Sequence, residues 1–352
     1  MHKLFLVIYT FVGVVLCCSC AKQNYYIDAH TKRDDVGNYI IKWEVRPEMD
    51  GRVDLFVSDD PNSYPAHPFV SEEINKQVAK YVTLDNVSRK FFMLVFDRKD
   101  IVVTGARVIP TFGPFNLRDI GGYPSSNDTY VRWGKVYRSG RMDKMSYRDS
   151  LMVQRLGIRT RLLLLDGQSI PGEFKDDIPS VLLNSSLNLD RNELLQQILA
   201  GKATVKEVQL ANQNYLHQLA FHNKAQFAMA LQYLLETKNY PILISDQWGK
   251  DRVAYLMMLI QCILNINRGY ILDDYLQSND LLTVAHLIPG GYQLSNSQQE
   301  ALTEFFRCRS RDINKLFADI EKHYGSVSKY LEKELNFTMA QQVRLRQILL
   351  QY

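Results

Sequence analysis

The side chains with the most chemical reach in this 352-residue chain are Lys250, Asp251 and Arg252. They close a polar loop, Ser245-Asp-Gln-Trp-Gly-Lys-Asp-Arg252, that joins two apolar stretches. Tyr240-Pro-Ile-Leu-Ile244 before it reads as a buried strand, and Val253-Ala-Tyr-Leu-Met-Met-Leu-Ile-Gln-Cys-Ile-Leu264 after it reads as a buried helix. A strand, a tight loop and a helix N-terminus together make an anion site. Unpaired backbone N–H groups converge on the loop, and the helix dipole adds positive potential there. Gln247, Trp248 and Gly249 would line such a site, while Lys250 and Arg252 would close on a phosphate, Arg252 through two parallel hydrogen bonds.

The loop resembles the signature of the bacterial tyrosine-phosphatase-like family, whose active members read His-Cys-x-x-Gly-Lys-Asp-Arg-Thr-Gly. Gly249, Lys250, Asp251 and Arg252 match in register, but Ser245 stands at the His and Asp246 at the nucleophilic Cys. The family's reaction needs a thiolate, a strong nucleophile at neutral pH once the loop amides and the arginine lower its pKa. A carboxylate at ~4 Å from a phosphate charge is repelled by on the order of 4 kcal/mol per charge pair at an effective dielectric of ~20. Enzymes that form aspartyl-phosphates offset this with a divalent cation and further carboxylates, and no second acidic cluster is assignable here. Asp246 is therefore expected to be the loop's own anion, accepting its amides and pairing with Arg252. That role is compatible with its being an ordinary acid near a helix N-cap.

A second match is Phe115-Asn-Leu-Arg-Asp-Ile-Gly-Gly-Tyr123, the Asn-x-Arg-Asp-x-Gly-Gly-Tyr signature that opens the family's catalytic domain. Asn116, Arg118 and Asp119 are expected to brace the site wall, or to form a structural turn with a satisfied ion pair. Lys135-Val-Tyr-Arg-Ser-Gly140 continues the resemblance, which makes Arg138 a candidate phosphate contact. Active relatives place Asp-Leu-Arg near the end of the strand that corresponds to Arg161-Leu-Leu-Leu-Leu-Asp166. Here Leu163 and Leu165 take those positions, with Asp166 just beyond. Ile271-Leu-Asp-Asp-Tyr-Leu-Gln-Ser-Asn279 resembles the family's Asp-Tyr-Leu-x-Ser-Asn helix, which packs on the core. The end of the chain reads as a capped helix, a turn at Asn336 and a Thr338-capped final helix. Between these lie Glu193–Leu199 and a longer helix from Tyr215 to Leu235. His217 and His222 on the latter do not share a face and read as surface or core-edge residues. In relatives this insertion often caps the site as a lid.

The rest of the chain bounds the setting. With 42 basic against 38 acidic residues, the net charge of +4 is too balanced to suggest a nucleic-acid partner. Met1-His-Lys3 followed by apolar Leu4–Leu16 reads as an export signal. Cys17, Cys18 and Cys20 follow it, and Cys20 is the expected lipidation site of a bacterial lipoprotein, with Cys18 the alternative. Cys262 and Cys308 form no disulfide framework, and neither replaces the missing thiol. Residues 35–108 hold short β-rich segments separated by turns, a pattern that suggests a small all-β sandwich of immunoglobulin or fibronectin type with Trp43 in its core.

The expected architecture is multidomain: a signal peptide over 1–20, a linker over 21–34, a β-sandwich over 35–108, and over 109–352 an α/β phosphatase domain with a central sheet flanked by helices. The resemblance implies two functions. One is a pseudophosphatase, a lipid-anchored binding scaffold of the bacterial cell envelope. The other is an active phosphatase on phosphotyrosine or phospholipid by a cysteine-independent route. No cofactor and no metal are implied. The partners implied are a phosphorylated protein or lipid, or a protein, and the membrane through the anchor.

Overall fold

A computed structural model of the chain describes residues 25–351 except 127, 143–144, 166–177 and 186–190. The segment expected to be an export signal, Cys20 and Asp166 lie outside the described residues. The first part of the fold has seven strands: β1 (Tyr26–Arg33), β2 (Tyr39–Arg46), β3 (Arg52–Ser58), β4 (Val70–Glu73), β5 (Val78–Tyr81), β6 (Phe91–Phe96) and β7 (Asp100–Gly105). They form two antiparallel sheets, β1-β2-β5 and β4-β3-β6-β7. Along β2, Tyr39, Ile41 and Trp43 are buried while the residues between them are not, the period of two expected of a half-buried strand. These side chains meet Leu55, Phe92, Leu94 and Phe96 of the other sheet in one core. Trp43 belongs to that core, and its indole N–H donates to the Ile74 carbonyl at 2.8 Å.

The segment expected as a linker is instead largely strand β1, paired with β2 from Tyr26↔Arg46 to Arg33↔Tyr39. It escapes a hydropathy reading because only Ile27 and Thr31 along it are buried. The acid-rich β4 was hidden for the same reason: Val70-Ser-Glu-Glu73 is edge strand without a buried face.

The second part carries strands β8 (Arg118–Asp119), β9 (Tyr130–Val131), β10 (Val136–Ser139), β11 (Thr160–Leu165), β12 (Ser180–Asn184), β13 (Ile242–Ser245) and β14 (Leu350–Gln351). Five of them form the expected central sheet in the order β12-β11-β13-β10-β8, parallel except for β8 at the edge. β13 lies in the middle, and Ile242, Leu243 and Ile244 have no exposed surface. An apolar run without alternation is what a strand covered on both faces requires.

The helices are α1 (Tyr147–Arg155), α2 (Arg191–Leu199), α3 (Val205–His222), α4 (Lys224–Tyr233), α5 (Arg252–Ile263), α6 (Arg268–Leu276), α7 (Ser278–Leu281), α8 (Val284–Leu287), α9 (Asn296–Phe306), α10 (Ser310–Tyr324), α11 (Val327–Glu334) and α12 (Met339–Leu349). α5 is buried nearly all round, as a helix apolar on every face must be. Reciprocal capping boxes start α1 (Ser146 with Asp149), α3 (Thr204 with Glu207) and α12 (Thr338 with Gln341).

The helix expected over 215–235 is two helices, broken at Asn223. Asn223 is fully buried; its amide donates to Gln226 Oε1 at 2.9 Å and its carbonyl oxygen accepts from the Ser185 hydroxyl at 3.1 Å. Gln226 in turn donates to the Leu183 carbonyl. This polar latch ties the helix break to the end of β12, a tertiary constraint that helical periodicity cannot show.

The two parts are not joined by a free tether. The Ile109 amide donates to the Leu117 carbonyl at 3.1 Å and the Asp119 amide to the Arg107 carbonyl at 3.0 Å, with Val108 and Arg118 bridged antiparallel. The chain leaving β7 thus lies along the outer edge of β8.

Candidate functional site

The candidate loop leaves the C-terminal end of β13, where ligands of parallel α/β sheets gather. Ser245 lies beside Ser139 of β10 on one side and Leu163 of β11 on the other. Gly249 has φ +69°, and a Cβ there would sit 2.6 Å from the Gly140 nitrogen and 2.7 Å from the Ser139 carbonyl carbon. The loop packs backbone to backbone on the end of β10, and glycine is the residue that permits both the angle and the approach.

Asp246 turns inward, with 3% of its surface exposed. Its Oδ1 accepts the N–H groups of Trp248, at 2.9 Å, and Gly249, and its Oδ2 accepts the N–H of Val253 at 3.0 Å. The Val253 amide is one of the orphan donors of the first turn of α5. Asp251, at the formal N-cap, makes no capping bond with its side chain. Asp246 therefore does the capping from within the loop, and amides that would cradle an anion hold a carboxylate of the chain itself. Arg252, 5% exposed, acts on Asp246 through its charge, and its guanidinium lies 5.6 Å from the centre of the Tyr215 ring.

The neighbouring cations also have partners. Lys250 is 2% exposed, and its ammonium donates to Asp251 Oδ1 at 2.8 Å rather than reaching for a ligand. Arg191 Nε lies 3.6 Å from Asp251 Oδ2, and Arg191 Nη2 donates to Asn212 at 2.8 Å. Burial alone would raise the pKa of Asp251, but Lys250 and Arg191 overcome it and hold the carboxyl below its ordinary value. For Asp246 the balance falls the other way. Burial first and the Asp251 charge second raise its pKa, against the pull of the Val253 and Gly249 amides and of Arg252.

Behind the loop sits Asp274 of α6, 1% exposed and held between two fully buried arginines. Arg118 Nε donates to its Oδ1 at 3.0 Å and Arg138 Nη1 to its Oδ2 at 2.5 Å. The pair holds Asp274 below the ordinary carboxylate range against the effect of burial. Arg138 Nη2 donates to the Gly249 carbonyl at 2.7 Å, and Asn116 Nδ2 donates to the same oxygen at 2.9 Å and to Ser278 Oγ at 3.2 Å. Arg138 was expected to touch phosphate. It is instead sealed beneath the loop, gripping its backbone. Asn116 holds the loop directly, and Arg118 is tied to it through Asn116 and Asp274.

Asp119 does not reach the loop; its carboxylate binds Arg89, Gly121 and Gly134 at the junction of the two parts. Gln247 points to the surface, donating to Asn192 at 2.8 Å. Trp248 packs edge-on against Phe306 at 5.1 Å, so its ring serves a helical cluster rather than a ligand. Leu163 is buried beside Ser245, and Leu165 is half-buried at the end of β11. Burial pushes the Cys262 thiol up to about 12 and raises that of Cys308, so neither is a ready nucleophile.

Arg191 and Tyr215 were not singled out in the sequence, and Asp274 and Ser278 entered only as members of the Asp-Tyr-Leu-x-Ser-Asn segment, with no role in the site. For Asp274 a signal existed: it lies three residues after Ile271 and one before Tyr275, on the buried face of an otherwise apolar helix turn.

The model of the tyrosine phosphatase family matches residues 109–351. A putative tyrosine-protein phosphatase of Cupriavidus necator is 24% identical over 242 residues, 64% of this chain and 83% of that protein. The triple specificity protein phosphatase PtpB of Mycobacterium tuberculosis is 22% identical over 275 residues, 68% of this chain and 97% of that one. The core catalytic domain of the PP-IP phosphatase Siw14 of S. cerevisiae, solved with citrate, covers 60% of this chain and 94% of its own at 17% identity and a TM-score of 0.30. That last likeness is too loose to bear on the fold, which rests on the sheet order above.

Two outcomes follow from this geometry. Asp274→Asn leaves Arg118 and Arg138 buried without their counter-ion and should cost about 3–5 kcal/mol in denaturant unfolding. The second concerns pH. The Asp246 carboxyl keeps its proton to a higher pH folded than unfolded, so it contributes a loss of stability as pH rises from its unfolded value near 3.8 to its raised folded value. Asp246→Asn removes that titration, and the difference between the two unfolding profiles should drift in favour of the variant as pH rises through that window.

Proposed function

The chain belongs to the tyrosine phosphatase family, and from that premise we propose that it is a pseudophosphatase: a phosphatase-shaped body that binds its partner without turning over phosphate. The observation that carries this reading is the Asp246 carboxylate seated on the amides of Trp248, Gly249 and Val253. A phosphoryl group needs those same donors. It would have to displace a buried charge that already satisfies them, in a loop with no thiolate to attack phosphorus. Leucines at 163 and 165, where active relatives supply an acid and an arginine, point the same way.

The partner on this reading is a phosphorylated protein or lipid, or a protein that recognises the covered loop. The family match and the phosphatase names of the two relatives support the first class. The basic, apolar and cysteine-ended N-terminus supports export and lipid anchoring in a bacterial envelope, with Cys20 as the modified residue.

The test is a phosphatase assay on the purified chain with an aryl phosphate, a phosphotyrosine peptide and a phosphoinositide, with and without divalent cations, beside Asp246→Asn. Both proteins should be equally silent. Metal-dependent turnover by the natural chain that vanishes in Asp246→Asn would establish a carboxylate nucleophile and sink the proposal. In the same preparations Asp246→Ala, which frees the amides and removes a repulsive charge worth on the order of 4 kcal/mol at ~4 Å, should bind vanadate at least about tenfold more tightly.

A further inference from the structure

Arg89 belongs to the β-sandwich, on the turn that leads into β6, yet its side chain is 9% exposed and is spent on the other part of the fold. Its Nη1 donates to Asp119 Oδ2 at 2.6 Å and its Nε to the Ala106 carbonyl at 2.9 Å. The guanidinium lies 4.5 Å from the centre of the Phe91 ring and 5.1 Å from that of Trp133. Asp119 has no exposed surface and also accepts the amides of Gly121 at 2.8 Å and Gly134 at 2.7 Å. A second arginine of the junction, Arg107, donates to the Gly121 carbonyl at 2.9 Å and stacks on Tyr123 at 3.9 Å. Gly122 has φ +75°, and a Cβ there would meet the Trp133 ring at 2.0 Å. The second half of the Asn116–Tyr123 signature is thus a socket for arginines that arrive with the β-sandwich.

The first half of the same signature holds the loop. Successive residues of a strand point to opposite faces, and β8 consists of just Arg118 and Asp119. Asp119 takes Arg89 on one side. On the other, Arg118 takes Asp274, which shares its carboxylate with Arg138, whose Nη2 grips the Gly249 carbonyl. β8 is bonded through its backbone to β10 on one edge and to the segment leaving β7 on the other, and its two side chains add a hold at each face. Both grips are buried ion pairs, and a buried charge left without its partner is costly.

We infer that Arg89 is a positioning residue for the phosphate loop, and that the β-sandwich sets the loop through the Arg89–Asp119 and Arg118–Asp274 pairs on the two faces of β8. The sandwich is then a working part of the phosphatase-like body rather than a spacer. This coupling would hold whether or not the loop turns over phosphate. It must also be reciprocal: if the seam biases the loop, a change in the loop biases the seam by the same free energy.

The chain carries three tryptophans, and each reports on a different region. Trp43 lies in the core of the sandwich, Trp133 at the seam and Trp248 in the loop. Full-length protein labelled with 5-fluorotryptophan would give one fluorine resonance for each, assigned with Trp43→Phe and Trp248→Phe. Arg89→Ala is expected to displace the Trp133 and Trp248 resonances and leave Trp43 in place, and Arg89→Lys, which keeps a cation on Asp119, to return Trp248 toward its native position. Asp246→Asn, made in the loop, is expected to displace Trp133 as well as Trp248. A Trp248 resonance unmoved in Arg89→Ala while Trp133 shifts would overturn the proposal. If Arg89→Ala unfolds and all three resonances merge, the Asp246→Asn arm decides, and an unmoved Trp133 there overturns it.

Discussion

A negative charge buried at the end of a strand must be met by donors that cannot move away. Here the donors are the backbone N–H groups of Trp248, Gly249 and Val253, and the charge is the carboxylate of Asp246. Much of the local architecture serves this contact. Gly249 lets the loop turn tightly enough for two amides to share one oxygen, and the first turn of α5 delivers the third amide to the other oxygen. α5 can begin there because β13 and α5 are buried on all sides and fix the ends of the loop. A loop of this kind is preorganised for an anion whether or not a ligand is present. What differs between chains is which anion the sequence supplies.

The back of the loop follows a separate logic. Asp274 between Arg118 and Arg138 contacts nothing that a substrate would contact. Its work is to serve as the shared counter-ion of two guanidiniums, which also donate to the carbonyls of Asn116, Asp274 and Gly249. The identity of the residue at position 246 in front therefore puts no strain on this network. Loss of any member of the network would leave buried charge unpaired, a cost in stability rather than in chemistry. That asymmetry lets the Asn116–Tyr123 signature and the Gly249–Arg252 end of the loop keep their contacts with an aspartate at position 246.

The strand–loop–helix unit was legible because its apolar runs and single glycine are local signals, and because Asp246 had nowhere to go but inward. The helix cap at Thr338 was equally local. What escaped was long-range. Arg138 looks like a ligand contact in sequence because the family resemblance places its Arg-Ser pair near the phosphate site; only the fold brings Asp274, more than a hundred residues later, beneath it. Lys250 was expected to face the ligand, and its neutralisation by Asp251 depends on side-chain direction, which sequence spacing does not specify. Asp119 reads as one more member of the site until Arg89 arrives from the sandwich. The break at Asn223 was hidden for the same reason, since polar residues made structural by distant partners carry no period, while β1 was hidden because only Ile27 and Thr31 along it are buried.

The identity of the substituted residue has its own physical sense. In an active relative the residue at position 246 would be a thiolate, carrying one negative charge into the same amides. Aspartate carries the same charge. Around it the arrangement sets Arg118, Arg138, Arg191, Lys250 and Arg252 against Asp246, Asp251 and Asp274. Five cations facing three carboxylates leave a positive excess of two. An alanine at 246 would raise that excess to three and leave the loop amides without a side-chain acceptor, and a serine would raise it equally while offering a single oxygen, whereas aspartate keeps the charge of the site at the value a thiolate would give it. The carboxylate also has what a sulfur lacks, a second oxygen set off from the first, and that oxygen reaches Val253 on the helix. On the proposed reading, Asp246 preserves the electrostatics of the loop without a thiolate, which is the combination that a body kept for binding requires.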